Sequence, residues 1–211
     1  MAETPHSVVI LGATGLVGSE CVRQFAVSPR FGRVVALARR PLATTPPRVE
    51  THVIDFERLD DAAEHFRVSH IVCALGTTIK QAGSQERFRR VDHDYPVAAA
   101  RLGIQEGAHH FLLVSALGAN RQSRVFYSRV KGEVEDVIRA LPYRSVTIVR
   151  PSLLLGERAE LRLGEQIGKL FAGVVPKRCK PVEGSAVAST VLRAAVEDRP
   201  GVRIIESREI V

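Results

Sequence analysis

Tyr127 and Lys131, four residues apart, are the side chains in this sequence best placed to do chemistry. That spacing puts both on one face of a helix, so an ammonium can sit beside a phenol. A free tyrosine titrates near about 10, and a neighbouring cation favours the phenolate, which moves proton transfer toward neutral pH. Ser115 stands twelve positions before Tyr127, at the end of an apolar run. In such a set Ser115 orients a substrate oxygen, Tyr127 gives or takes its proton, and Lys131 holds a nicotinamide ribose and lowers the tyrosine pKa. A cofactor must then carry the hydride. Tyr and Lys at this spacing also occur by chance on many helix faces, so the set gains weight only from a nucleotide site elsewhere in the chain.

The sequence offers one. Gly12-Ala13-Thr14-Gly15-Leu16-Val17-Gly18 follows the apolar run Val8-Val9-Ile10-Leu11 and opens a segment of helical period. In the dinucleotide fingerprint the first glycine turns the chain, the second lets backbone approach a pyrophosphate, and the third lets helix and sheet pack closely. The following helix N-terminus supplies unpaired N–H groups and a positive dipole end. A plain tight turn is the competing reading, and the agreement of strand, glycines and helix favours the nucleotide.

About 20 residues further on, an NAD enzyme places an acid on the ribose 2′-hydroxyl. Here the chain reads Ala38-Arg39-Arg40-Pro41. Two guanidiniums and no carboxylate suit a 2′-phosphate, so NADP (NADPH) is favoured over NAD. Asp55, before Phe56, either meets the adenine edge or caps the next segment. Leu75-Gly76-Thr77-Thr78 ends another apolar run in small residues and hydroxyls that suit approach to a cofactor ribose.

The elements that must position these residues are legible as short β-branched runs: Ser7–Leu11, Arg33–Ala38, Val49–Ile54, His70–Leu75, His110–Ser115 and Ser145–Val149. Segments of helical period separate them, as with Leu16, Cys21 and Phe25. Apolar runs without alternation are strands buried on both faces. The pattern predicts an α/β fold, a doubly wound parallel sheet (Rossmann fold). The 211 residues amount to about 1.4 typical domains. One domain, 1–211, is expected, with residues 151–211 as a short C-terminal substrate-side extension carrying a helix Ser185–Glu197 and a strand Val202–Ile205.

Composition narrows the partners. With 45% hydrophobic and 25% charged residues the chain is ordinary globular material, and its net charge of +7 needs a destination. Three Tyr and no Trp give little support for nucleic acid. The N-terminus lacks a basic leader or a spanning run, and Cys21, Cys73 and Cys179 form no CxxC, so a cytoplasmic protein that binds no membrane is expected. Cys73 reads as a buried hydrophobe and Cys179, between Arg178 and Lys180, as a thiol that those charges can activate. His109-His110 lacks a third ligand at metal spacing, so no metal is expected.

The same residues resemble the short-chain dehydrogenase/reductases, and within them the small atypical branch of the Tat-interacting-protein oxidoreductases. The resemblance rests on GATGLVG, Arg39-Arg40, Val53-Ile54-Asp55-Phe56, ALGTT with Lys80 and Gly83, Val91-Asp92-His93-Asp94-Tyr95, the Ser115 strand, Tyr127 with the VKGEVE that follows, and Arg150-Pro151 with Leu153-Leu154-Leu155. It implies an NADP-binding Rossmann protein with Ser115, Tyr127 and Lys131 as its triad. It also implies that backbone near Pro151, Ser152 and Leu153 contacts the nicotinamide amide.

The best-known members add a catalytic Asn on the helix after the fourth strand, where this chain reads Arg90-Val91-Asp92-His93. The short region after Arg150 leaves the substrate pocket to be built largely from Ser152 to Val182 and leaves little room for a nucleotide-sugar site. The expected function is an NADP-dependent oxidoreductase acting on a small carbonyl or alcohol, as monomer or homodimer. The alternative is an NADPH-binding sensor with little or no turnover.

Overall fold

In the computed structural model, residues 5–155 and 181–210 are described. The apolar runs form parallel strands: β1 His6–Leu11, β2 Phe31–Ala38, β3 Val49–Val53, β4 His70–Cys73, β5 His110–Val114 and β6 Ser145–Arg150. After the short strands β7 Leu154–Leu155 and β8 Val182–Glu183 comes β9 Gly201–Glu206. The seven-stranded sheet has the order β3-β2-β1-β4-β5-β6-β9, and β7 pairs with β8 in a separate two-stranded ribbon. Chain direction across the sheet therefore reverses between β1 and β4. Open α/β sheets bind ligands at such a switch point, beyond the carboxyl ends of the strands.

Two apolar layers flank the sheet because successive strand residues point to opposite faces. Val8 and Ile10 of β1 join one core with Val17, Cys21 and Phe25 of α1 Leu16–Val27. Val9 and Leu11 join the other with Leu59 and Phe66 of the 3₁₀ segment Phe56–Phe66. The short helices α2 Ile79–Ala82 and α3 Gln85–Arg89 lead through a π-turn, Arg90–Asp94, into α4 Tyr95–Gln105. With α5 Phe126–Arg139, α4 covers the second face, while α6 Gly184–Glu197 lies beside α1 on the first. Gln24 Nε2 ties α1 to α6 through the Ser185 carbonyl at 3.0 Å.

The expected helix and strand of the extension are present. Most of the stretch expected to build the substrate pocket, and Cys179 with its basic neighbours, lie outside the described residues. Cys21 and Cys73 are buried in the sheet cores, and burial pushes both thiols up to about 12, which keeps them inert.

Linear spacing gives His109-His110 no third donor, but the fold brings others beside it. Parallel register sets His70 at the start of β4 beside His110 at the start of β5, and the turn after α6 brings Asp198 to the same edge. Ring nitrogens of His70 and His109 and a carboxylate oxygen of Asp198 all lie within 4.8 Å of one another. These residues are far apart in sequence, so linear spacing could not reveal the group.

Candidate active site and cofactor crevice

The glycine turn sits at the switch point. Gly12 has φ +82°, and a Cβ there would lie 2.5 Å from the carbonyl oxygen of Ala74, just past β4. A Cβ on Gly18 would lie 2.1 Å from the Gly12 carbonyl, so that glycine lets α1 press onto the turn. Gly15 is exposed, donates its N–H to Gly12 O at 2.9 Å, and begins α1 as an N-cap with no capping side chain. The first N–H groups of α1 thus lack a side-chain acceptor, and an anion can take that place. Ala13, Val17 and Gly18 are buried beneath the turn, whereas Thr14 and Leu16 are partly open. Contact with a pyrophosphate there would run through backbone.

Arg39 and Arg40 follow directly on β2, at the same end of the sheet, and both are exposed. Neither pairs with a carboxylate among the described residues. Asp55 realises the capping alternative, since its carboxylate accepts the Glu57 N–H at 2.9 Å. The Phe56 ring is buried in the core against Tyr95, which leaves its backbone for any ligand. Leu75 packs onto the second core, Gly76 is exposed, and the Thr78 hydroxyl caps α2 by accepting the Gln81 N–H at 3.1 Å.

Tyr127 and Lys131 lie on α5, and the structure joins them to a residue that sequence reasoning had not placed in the site. Lys131 is buried, and its Nζ lies 2.7 Å from Oδ1 of Asp92, itself only 1% exposed. The other carboxylate oxygen of Asp92 accepts the Thr77 N–H at 2.9 Å. Asp92 stands within the π-turn, whose extra residue directs a polar side chain inward from an otherwise continuous helical path. The turn after β4, the π-turn and α5 are thereby locked together.

Burial raises the half-buried Tyr127 phenol above its ordinary value; the Lys131 charge opposes that rise and the Asp92 charge adds to it. Burial works against the Lys131 ammonium, but Asp92 and Tyr127 outweigh it and the lysine pKa rises. Lys131 thus lowers the tyrosine pKa as expected, but burial of the phenol outweighs that pull, with the Asp92 carboxylate adding to the rise, and the net shift is upward.

Ser115 answers to a different carboxylate. It is buried just past β5 and its hydroxyl donates to Glu135 Oε1 at 2.5 Å. Glu135, one turn beyond Lys131 on α5, is paired with Arg150 Nη2 at 2.5 Å, and Arg150 also reaches Glu206 Oε1 at 2.9 Å. In this arrangement the Ser115 proton is committed, and its oxygen can only accept from a bound molecule. Tyr127, Lys131 and Glu135 form one i, i+4, i+8 stripe, a signal the sequence carried although only its first two members had been read. At the end of β6, the Pro151 carbonyl accepts from Leu117 N at 2.8 Å and the Leu153 carbonyl from Val182 N at 2.8 Å. Ser152 N–H donates to Ser207 Oγ at 3.1 Å.

Comparison with known proteins agrees with this crevice. A family described as NAD(P)H-binding matches residues 12–198. Protein HTATIP2 of Rattus norvegicus is 35% identical over 97% of this chain and 88% of its own length. Protein FMP52, mitochondrial, of Eremothecium gossypii is 33% identical over 97% of this chain and 96% of its own. Among solved structures, a short-chain dehydrogenase from Burkholderia cenocepacia J2315 in complex with NADP superposes with TM-score 0.70 at 18% identity, covering 97% of this chain and 90% of that one. MoeE5 in complex with UDP-glucose and NAD gives 0.72 at 18% identity, covering 95% and 75%. Similarity at that level shows the fold.

The expectation of a cytoplasmic protein is overturned by the FMP52 relatives, which are named mitochondrial. Among the described residues no helix is long and apolar enough to cross a membrane. With its glycine turn at the switch point of a seven-stranded parallel sheet, the chain belongs to the NAD(P)H-binding family and is a relative of HTATIP2 and FMP52.

Proposed function

We propose that this chain is an NADP-dependent oxidoreductase of the short-chain type that reduces a small carbonyl compound, with Tyr127 as proton donor. The observation that carries the proposal is the half-buried Tyr127 with the buried Lys131–Asp92 pair and the Thr77 N–H at the carboxyl end of the sheet, beside the glycine turn. Residues Gly12 to Gly18 would hold the pyrophosphate, and Arg39 and Arg40 the 2′-phosphate, to which guanidinium gives bidentate charge-assisted hydrogen bonds. Lys131 would hold the nicotinamide ribose. When bound, the nicotinamide supplies the hydride.

The residues of the chain handle the proton. A phenol whose pKa is raised stays protonated at neutral pH, so Tyr127 enters the reaction as an acid and is suited to donating to a carbonyl oxygen as negative charge develops there. Asp92 keeps Lys131 charged and aimed, which makes it a positioning residue. The mitochondrial names of the FMP52 relatives favour a mitochondrial setting for this activity.

The engaged Ser115 hydroxyl favours a second reading, an NADPH-binding sensor with little turnover, because no serine proton is free for the substrate oxygen. Turnover separates the two. In a screen of small carbonyls with NADPH, Tyr127→Phe is expected to lower kcat/KM by about 10²- to 10⁴-fold while leaving NADPH binding intact. The wild-type rate is expected to hold level through neutral pH and to fall only in alkali, because the raised pKa keeps Tyr127 in its acid form. Wild-type turnover undiminished in Tyr127→Phe would refute the assignment, and NADPH binding without turnover of any carbonyl would favour the sensor.

A further inference from the structure

The amino-terminal edge of the sheet, opposite the cofactor crevice, holds polar groups that the proposed reaction does not use. His70 is fully buried and His110 only 1% exposed, while His109 is partly open to solvent. Asp198, in a left-handed conformation after α6, turns its carboxylate toward all three. Oδ1 lies 2.9 Å from His110 Nδ1 and 3.9 Å from His70 Nε2, and Oδ2 lies 3.2 Å from His109 Nε2. Arg144, whose side chain is half exposed, reaches Oδ2 from outside at 2.5 Å.

The hydrogen-bond accounting at this edge does not close. Despite their separation of 2.9 Å, His110 Nδ1 and Asp198 Oδ1 are not aligned for a hydrogen bond, and both are buried without a hydrogen-bond partner. Buried polar atoms in native proteins are ordinarily satisfied, so each such atom needs an explanation. His70 is satisfied in the ion-free ring: the Ala195 carbonyl can only accept, so Nε2 donates to it at 3.1 Å and Nδ1 accepts the Ser69 hydroxyl proton at 2.8 Å. Metal binding at Nε2 would shift the ring proton to Nδ1, with the Ser69 hydroxyl turning its own to the Ser7 carbonyl at 2.7 Å. Imidazoles and a carboxylate converging on one small space are a ligand set for a cation.

We propose that His70, His109 and Asp198, with His110 beside them, bind a borderline divalent transition-metal ion of the zinc class. Imidazole and carboxylate are the ligands such ions prefer. Tetrahedral ligands about 2.0 Å from a zinc ion stand about 3.3 Å apart. The atoms of His70, His109 and Asp198 lie within 4.8 Å of one another, so modest side-chain adjustment closes the site. Ser69 on His70 Nδ1 and Thr147 Oγ1 on His110 Nε2 at 3.0 Å supply the outer hydrogen bonds that orient ligating imidazoles. Entry is from the His109 side, and a bound ion would pin the turn between α6 and β9 to the starts of β4 and β5.

The test uses the full chain after chelator treatment, titrated with Co(II) alone and melted with and without Zn(II). One Co(II) per chain with visible d–d bands is expected, together with a rise in Tm of about 5 °C or more when Zn(II) is a hundredfold above its Kd. His109→Ala, at the half-open ligand, is expected to fold normally and to weaken Co(II) binding at least about tenfold, with NADPH affinity unchanged. Should Asp198→Asn fold poorly, His109→Ala decides alone. Absence of Co(II) bands in the wild type, an unmoved Tm, or equal Co(II) affinity in wild type and His109→Ala would overturn the site.

Discussion

At the carboxyl end of the sheet Asp92 meets one cation, and at the amino end Asp198 meets four partners. The Asp92–Lys131 pair is almost completely removed from water, and a backbone N–H satisfies the second carboxylate oxygen. Charge is balanced one to one, which is the condition for keeping a buried ion pair. Asp198 shares its carboxylate among Arg144, His109, His110 and His70. Each cluster is centred on one aspartate. The tight pair braces the proposed proton donor Tyr127, whereas the hub gathers the imidazoles of the proposed ion site around a shared carboxylate.

Removing each carboxylate exposes that contrast. Asp92→Ala leaves the Lys131 ammonium buried and unpaired, so chemical denaturation is expected to show a loss of about 3–5 kcal/mol. A loss below about 1 kcal/mol would mean that water already reaches the pair. Next in size is Gly132→Ala, where the new methyl would lie 2.1 Å from the Arg121 backbone nitrogen and 2.3 Å from the Asn120 carbonyl carbon. This overpacking is expected to cost about 1–3 kcal/mol and to displace the loop that follows Ser115, visible as loop-localised hydrogen exchange. Asp198→Asn keeps the shape of the hub and its exposed arginine can reach water, so about 1 kcal/mol is expected without metal. A penalty as large as that of Asp92→Ala would erase the distinction between the two ends.

Much of this architecture was readable before any coordinates. The runs Val8–Leu11 and Ile71–Leu75 lacked alternation because both faces are covered, and the glycines at 12 and 18 announced the turn because no side chain fits there. Tyr127 and Lys131 were visible through helical spacing alone. The partners of those residues were not. Asp92 faces inward only because a π-turn adds a residue to the helical path, and no simple periodicity marks that. The Ser115–Glu135 bond depends on how α5 lies across the ends of β5 and β6, and His70 meets His110 only through strand register. Local pattern thus fixed which residues matter, while long-range register and helix placement fixed what they touch. The net direction of the Tyr127 shift has the same origin: the cation is legible in the sequence, while the burial that outweighs it, and the Asp92 carboxylate that adds to it, depend on tertiary packing.

The crevice at the β1–β4 switch point is proposed to take a dinucleotide bearing a 2′-phosphate. Calorimetric titration of NADPH and NADH into the wild type and the Arg39→Ala, Arg40→Ala double variant tests it most directly. The wild type is expected to bind NADPH at least about tenfold more tightly than NADH, a difference of about 1.4 kcal/mol, and the double variant is expected to lose that preference while keeping its NADH affinity. Equal affinity for the two cofactors before and after the change would contradict the account.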